Sequence, residues 1–183
     1  MISKVERGES SPTAVVLGKL SAAFELSVSE LLSFSELPGA SESHGASELP
    51  GRSHPQAEAA LEAAAGAANG AGRVRRAADT QQWRDPDTGY LRRQISSPGF
   101  PAAVTEVTLP PAARVPYPAA AYAFIAQLIW VLSGRLTLID GTAERVLAPG
   151  DTFELGQPLP REFRNETPQE CRYIVVVTRK ATA

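Results

Sequence analysis

The stretch from Tyr122 to Asn165 limits the fold most tightly, because it alternates apolar and polar residues through short runs separated by turn residues. Leu128 to Leu132 is followed by Ser133-Gly134, and Arg135 to Ile139 by Asp140-Gly141. An Asp-Gly pair between two such runs is a hairpin signal. Glu144 to Leu147 leads into Pro149-Gly150, Asp151 to Leu155 comes next, and Cys171 to Thr178 supplies a valine-rich last run. Upstream, Leu91 to Ser96 and Val104 to Leu109 read as first strands, and Pro110-Pro111 with Pro116 and Pro118 is expected to interrupt the sheet before Tyr122. Short strands at this spacing predict a mainly β chain closed into a small antiparallel barrel or sandwich.

The first 32 residues read as helical. Ile2 and Val5 stand at i,i+3 spacing, and Gly8 falls where helices often end in a left-handed residue. Ser11-Pro12 reads as an N-cap followed by a first-turn proline. Val16, Leu17, Leu20 and Phe24 make an apolar stripe on the helix that follows. Ser27-Val28-Ser29-Glu30 is a capping box, which opens a short helix burying Val28, Leu31 and Leu32. Between this segment and the β region, Ser35-Glu36-Leu37-Pro38-Gly39 recurs as Ser47-Glu48-Leu49-Pro50-Gly51. The repeat is too short for a solenoid and too polar for a core, so residues 34–72 are expected to be a disordered spacer, with an alanine-rich helix permitted from Gln56 to Ala68.

Charge is uneven. Residues 35–70 hold five acids against Arg52, whereas residues 71–99 hold six arginines against three aspartates, which makes Arg73-Val74-Arg75-Arg76 a conceivable phosphate contact. The net charge of -2 excludes a generally basic nucleic-acid coat but not a small DNA-reading face. A single cysteine, Cys171, rules out an internal disulfide and fits a reducing compartment, where it reads as a small buried apolar residue rather than a redox sensor. The longest apolar run, Ala119 to Leu132, is too short to span a bilayer, and the amino end lacks the pattern of a signal peptide, so the expected location is the cytoplasm, without membrane contact.

Two family resemblances follow from these motifs. Ile2 to Glu9, Ser11-Pro12-Thr13 and Leu26 to Leu32 together resemble the second half of a lambda-repressor-like helix-turn-helix domain of the XRE type, with Glu25 where that family carries a small turn residue, usually glycine. The match begins inside the recognition helix, which implies an N-terminally truncated domain. It assigns Ser3, Lys4, Arg7 and Thr13 to DNA contact, since basic and hydroxyl side chains of that helix meet bases and phosphates. In the β region, Gly134, Pro149-Gly150-Asp151 and Arg164-Asn165 resemble the cupin signature. At the places where cupins carry metal ligands, this chain has Gln127 and Arg161, with Ala121 and Ala123, or Ala120 and Tyr122, upstream. Its two histidines, His44 and His54, lie in the spacer. The donor set for iron, manganese or zinc is therefore missing, and no metal or other cofactor is expected. Trp83-Arg84-Asp85-Pro86 and Gly89-Tyr90-Leu91-Arg92-Arg93 are similar to the segment that joins the two domains in cupin-bearing regulators.

The expected architecture is a partial helix-turn-helix over residues 1–33, the spacer over 34–72, and a cupin-like barrel with its entry segment over 73–183. A small barrel can hold one ligand in its mouth. Tyr122, Gln127, Ile129, Arg161 and Phe163 are the expected lining, with Phe124, Trp130 and Phe153 as further wall or packing. The bland alternative is that Arg161 pairs with Glu154 or Glu162, or reaches solvent. Without histidine in the barrel, and with no P-loop or dinucleotide fingerprint, no catalytic residues are assigned. The expected function is a DNA-binding regulator whose metal-free barrel senses a small molecule, forms a homodimer, or does both. The alternatives are a metal-free isomerase or epimerase of sugar derivatives, and a binding protein with a vestigial head.

Overall fold

The computed structural model describes residues 11–34 and 72–180. The expected helix tail at Ile2 and Val5, the DNA contacts Ser3, Lys4 and Arg7, the spacer repeat and both histidines lie outside the described residues.

The alternating runs do become strands. Among the described residues there are ten: β1 (Gln82–Arg84), β2 (Leu91–Gln94), β3 (Ala103–Leu109), β4 (Arg114–Tyr117), β5 (Ile125–Ser133), β6 (Leu136–Asp140), β7 (Ala143–Leu147), β8 (Thr152–Glu154), β9 (Arg161–Arg164) and β10 (Cys171–Arg179). They form one six-stranded sheet in the order β1-β2-β3-β10-β5-β8 and one four-stranded sheet in the order β4-β9-β6-β7, with all pairs antiparallel. The inward positions of both sheets share one core, which includes Val107, Leu109, Val115, Ile129, Val131, Leu136, Leu138, Phe163, Tyr173 and Val175. Phe163 of the smaller sheet stacks parallel to Tyr173 of the larger, with ring centroids 6.0 Å apart. Period-two alternation is what allows each strand to send every second side chain to this shared interior.

Two local expectations are corrected. Pro116 does not interrupt the sheet but sits inside β4. That strand is an edge, so an outward position with no N–H to donate is tolerated there. The β6–β7 hairpin turns on Gly141-Thr142, one residue later than the Asp-Gly pair suggests, because Asp140 stays in the strand opposite Arg161 and Ala143. Asn165 closes the end of the barrel: its side-chain amide donates to the carbonyls of Leu109 (2.9 Å) and Gln169 (2.7 Å), and its Oδ1 accepts from Thr167.

The helical segment consists of α1 (Ala14–Phe24) and α2 (Val28–Phe34). The cap of α1 is Thr13 rather than Ser11: its hydroxyl accepts from Val16 N, while Asp85 at the entry of the barrel takes up the Ala14 N–H at 3.0 Å. Both halves of the capping box form at α2, with Ser27 N donating to Glu30 Oε2 (2.7 Å) and Glu30 N to Ser27 Oγ (3.2 Å). Glu25 ends α1 with φ of +52°, the conformation that glycine would adopt without strain.

The buried face of α1 shares only Leu17 with the predicted stripe. Ala14, Leu17, Gly18 and Ser21 are buried, while Phe24 is 64% exposed. Small residues are selected because the barrel comes so close: a Cβ on Gly18 would lie 2.7 Å from the Tyr117 ring. The two helices and residues 80–183 make one compact unit. Side chains tie α2 to the sheet: Gln81 donates to the Leu32 carbonyl (3.1 Å), Ser29 and Thr105 share a hydrogen bond (3.1 Å), and Arg179 pairs with Glu30 (3.0 Å).

On the larger sheet, Glu106 of β3 is held by Arg93 of β2 and Arg172 of β10, each of which donates through both Nε and Nη2. Burial alone would push this carboxyl up, but the two guanidinium groups outweigh it and hold the group below its ordinary value. A depressed folded-state pKa means that the stabilisation is complete above the unfolded-chain value and is lost as pH falls through the folded one. Urea unfolding at neutral pH and near pH ~3 should therefore show a larger acid loss for the native chain than for Glu106→Gln. The difference should be about 1 kcal/mol, since both arginines are partly solvated and screened. Equal acid losses would remove Glu106 from this account.

Candidate functional site

One end of the barrel interior is not filled. A cavity of about 40 Å³ lies there, lined from the barrel by Tyr90, Arg92, Tyr117, Tyr122, Ile125, Gln127, Phe163, Tyr173, Val175 and Val177, and from the helical segment by Ser21, Ser27, Val28 and Ser29. The strand period explains the barrel side: Tyr90 and Arg92, Ile125 and Gln127, and Tyr173, Val175 and Val177 are each two apart and so share the inward face. The helices form the roof. One water occupies about 10–15 Å³ on this measure, so the space holds roughly three water-sized groups.

Three of the expected ligand residues, Tyr122, Gln127 and Phe163, line the cavity together. Ile129 and Arg161 do not. Ile129 is fully buried one step deeper along β5, in the core. Arg161 is buried as well, but its guanidinium is engaged elsewhere. It pairs with Asp140 at 2.9 Å, donates to the Gln157 carbonyl at 2.9 Å, and lies 4.6 Å from the centre of the Tyr122 ring. Its partner is thus Asp140, rather than the Glu154 or Glu162 suggested by the sequence. Thr13, expected at DNA, accepts from Val16 N as the cap of α1, which leaves its O–H to donate.

The residue that sequence reasoning passed over is Arg92. It was legible only as part of an entry segment, since nothing in the pattern tells which of Arg92 and Arg93 faces inward. The structure buries Arg92 and turns Arg93 to Glu106. Arg92 Nη1 donates to the Tyr90 hydroxyl (2.8 Å) and Nη2 to Ser29 Oγ (3.0 Å). Its Nε has no hydrogen-bond partner, and neither has the buried Tyr117 hydroxyl. Among the described residues no carboxylate lines the cavity. Burial raises the pKa of Tyr117, Tyr122 and Tyr173, so these phenols remain neutral O–H groups.

The donor chemistry does not suit a metal. Gln127 is a weak oxygen donor, Tyr122 lies beneath the Arg161 guanidinium, and Arg161 brings a permanent positive charge close to where a cation would have to sit. Among the described residues no group of three His, Cys, Asp or Glu side chains could hold an ion. Cys171 is buried, and burial pushes its thiol up to about 11, which keeps it as an apolar filler at neutral pH. No helix among the described residues is long and apolar enough to cross a membrane.

With this geometry in place, the chain can be set beside known proteins. Residues 105–177 match the cupin domain model. No curated protein is similar to the chain in sequence. Among solved structures, an HTH_3 family transcriptional regulator from Vibrio cholerae is 17% identical, with a TM-score of 0.63 over 99% of this chain and 80% of that one. A predicted oxalate decarboxylase from Thermotoga maritima is 14% identical, with a TM-score of 0.51 over 59% of this chain and 100% of that one. The cupin domain of an XRE family transcriptional regulator from Enterobacter cloacae is 15% identical, with a TM-score of 0.46 over 50% of this chain and 98% of that one. At such identities the likeness is one of fold. The antiparallel barrel under the N-terminal helices has the cupin fold, and the chain is similar in fold to the Vibrio cholerae regulator.

Proposed function

We propose that this chain is a DNA-binding transcriptional regulator, not an enzyme, in which a small molecule in the cupin cavity controls how the helical head is held. One observation carries the reading: Ser21, Ser27, Val28 and Ser29 of the helices line the same cavity as Tyr90, Arg92 and Gln127 of the barrel. An occupant would touch both at once, and a ligand shifts an equilibrium only by contacts that differ between its states. The likeness to the Vibrio cholerae regulator supports the DNA-binding role. The cavity is also poorly equipped for acid–base work, since its lining among the described residues has no carboxylate, histidine or lysine, and burial keeps Tyr117, Tyr122 and Tyr173 protonated. In the full arrangement two barrels form a homodimer that spaces two heads on DNA in the cytoplasm, with residues 1–33 as head and 34–72 as spacer.

Titration against DNA from upstream of the protein's own coding region, beside random DNA of equal length and at two salt concentrations, tests this role. The 183-residue chain is compared with a form carrying any in-frame residues encoded before Met1. The expected result is a preference of at least roughly tenfold for the cognate DNA by one of these forms, persisting at the higher salt. If neither form discriminates, the regulator reading fails.

A further inference from the structure

We propose that the cavity is a site for a short-chain carboxylate, with the carboxylate on Arg92 and the Tyr117 hydroxyl and the alkyl end against Ile125, Val175 and Val177. This deepens the reading of the cavity as a ligand site and rests on it.

The argument begins with charge. Two arginines are buried in this barrel, Arg161 and Arg92. Arg161 has Asp140 as its counterion. Arg92 forms no ion pair among the described residues, and its two hydrogen bonds go to the neutral oxygens of Tyr90 and Ser29. A guanidinium stays protonated in such a place, so the cavity carries one uncompensated positive charge in an apolar surrounding. A buried charge of this kind is stabilised by an opposite one that brings good hydrogen-bond geometry.

The donors on offer have a definite shape. Arg92 and Tyr117 both line the cavity, and Arg92 Nε and the Tyr117 hydroxyl, which lies near Tyr90, are buried without a partner at good hydrogen-bond geometry. A carboxylate has two oxygens and only accepts, so it can take both donors. One cation matches a monoanion, whereas a phosphate dianion would leave a second charge with no second cation among the described lining residues, beside Ile125, Phe163, Val175, Val177 and Val28. The room for roughly three water-sized groups suits acetate or propionate rather than a long-chain acid.

Calorimetric titration of the full chain with sodium propionate, at fixed ionic strength, tests the site. Propionamide has the same shape without the charge, and inorganic phosphate is the dianion probe. With about five heavy atoms, propionate is expected to bind in the micromolar to millimolar range. It should bind at least about tenfold tighter than propionamide or phosphate, because hydrogen bonds to a charged partner are the stronger kind. Tyr117→Phe, which removes one donor and keeps the ring, should weaken propionate severalfold, and Arg92→Met should abolish binding. Equal binding of propionate and propionamide, tighter binding of phosphate, undiminished binding by Arg92→Met, or no propionate binding at all would each overturn the proposal. Should Arg92→Met fail to fold, Tyr117→Phe and the amide comparison still decide the matter. No DNA is present in this experiment. Loss of propionate binding alongside intact DNA discrimination would remove only the ligand class, and the reverse result would remove the regulator role and leave the site.

Discussion

Gly134→Ala should destabilise the barrel by about 2–5 kcal/mol, a left-handed backbone penalty added to a steric one. Gly134 follows β5 with φ of +75°, and a Cβ there would lie 2.5 Å from the carbonyl oxygen of Glu170 and 2.8 Å from the Cα of Cys171. Both are backbone atoms at the start of β10, which pairs with β5 and β3 at the centre of the larger sheet and so cannot move without breaking register on both sides. Gly150→Ala is the matched control. Its φ is +94°, but nothing lies within 4 Å of the added atom, so only the backbone term of about 1–2 kcal/mol applies. Urea midpoints for the two variants should differ clearly. Equal midpoints would mean that the Glu170 contact relaxes at no cost and that the β5–β6 turn is not a fixed point of the fold.

That contrast also shows what the sequence could convey. Gly134 and Pro149-Gly150 were readable as turns because glycine and proline act locally, and the alternating runs were readable as strands because period two is local as well. Nothing local told the two glycines apart: the difference is the distance to Glu170, which is set by the pairing of β10. The same limit explains α1. Its apolar stripe pointed to Val16, Leu17, Leu20 and Phe24, but of these only Leu17 is buried, beside the small residues Ala14, Gly18 and Ser21, and the closeness of Tyr117 to Gly18 accounts for that choice. The candidate site was half legible. Tyr122 and Gln127 fall at positions that the cupin resemblance marks, Phe163 is an expected apolar wall residue, and all three line the cavity. Arg92 was hidden because its meaning depends on residues far away in the chain, Ser29 from the helices and Tyr117 from β4, which no periodicity within β2 reveals.

The two buried arginines should respond oppositely to the same replacement. Arg161→Met is expected to cost about 3–5 kcal/mol, since it leaves the largely buried Asp140 carboxylate with only the exposed Arg145 at 4.0 Å and takes a donor from the Gln157 carbonyl. Adding Asp140→Leu to that variant should recover part of the loss, because removing both charges is cheaper than keeping one unpaired. Arg92→Met removes a guanidinium that has no counterion among the described residues, so the relief of desolvation offsets its two hydrogen bonds and the cost should stay within about 1–2 kcal/mol. Urea unfolding of the three variants, without added carboxylate, reads this out directly. A charge kept in a core at little benefit to stability is what a binding site asks of its scaffold, and a charge kept with its partner is what a structural pair looks like. If Arg92→Met proves as costly as Arg161→Met, Arg92 is a structural residue of the barrel, and the case for an unfilled positive site under the helices loses its energetic support.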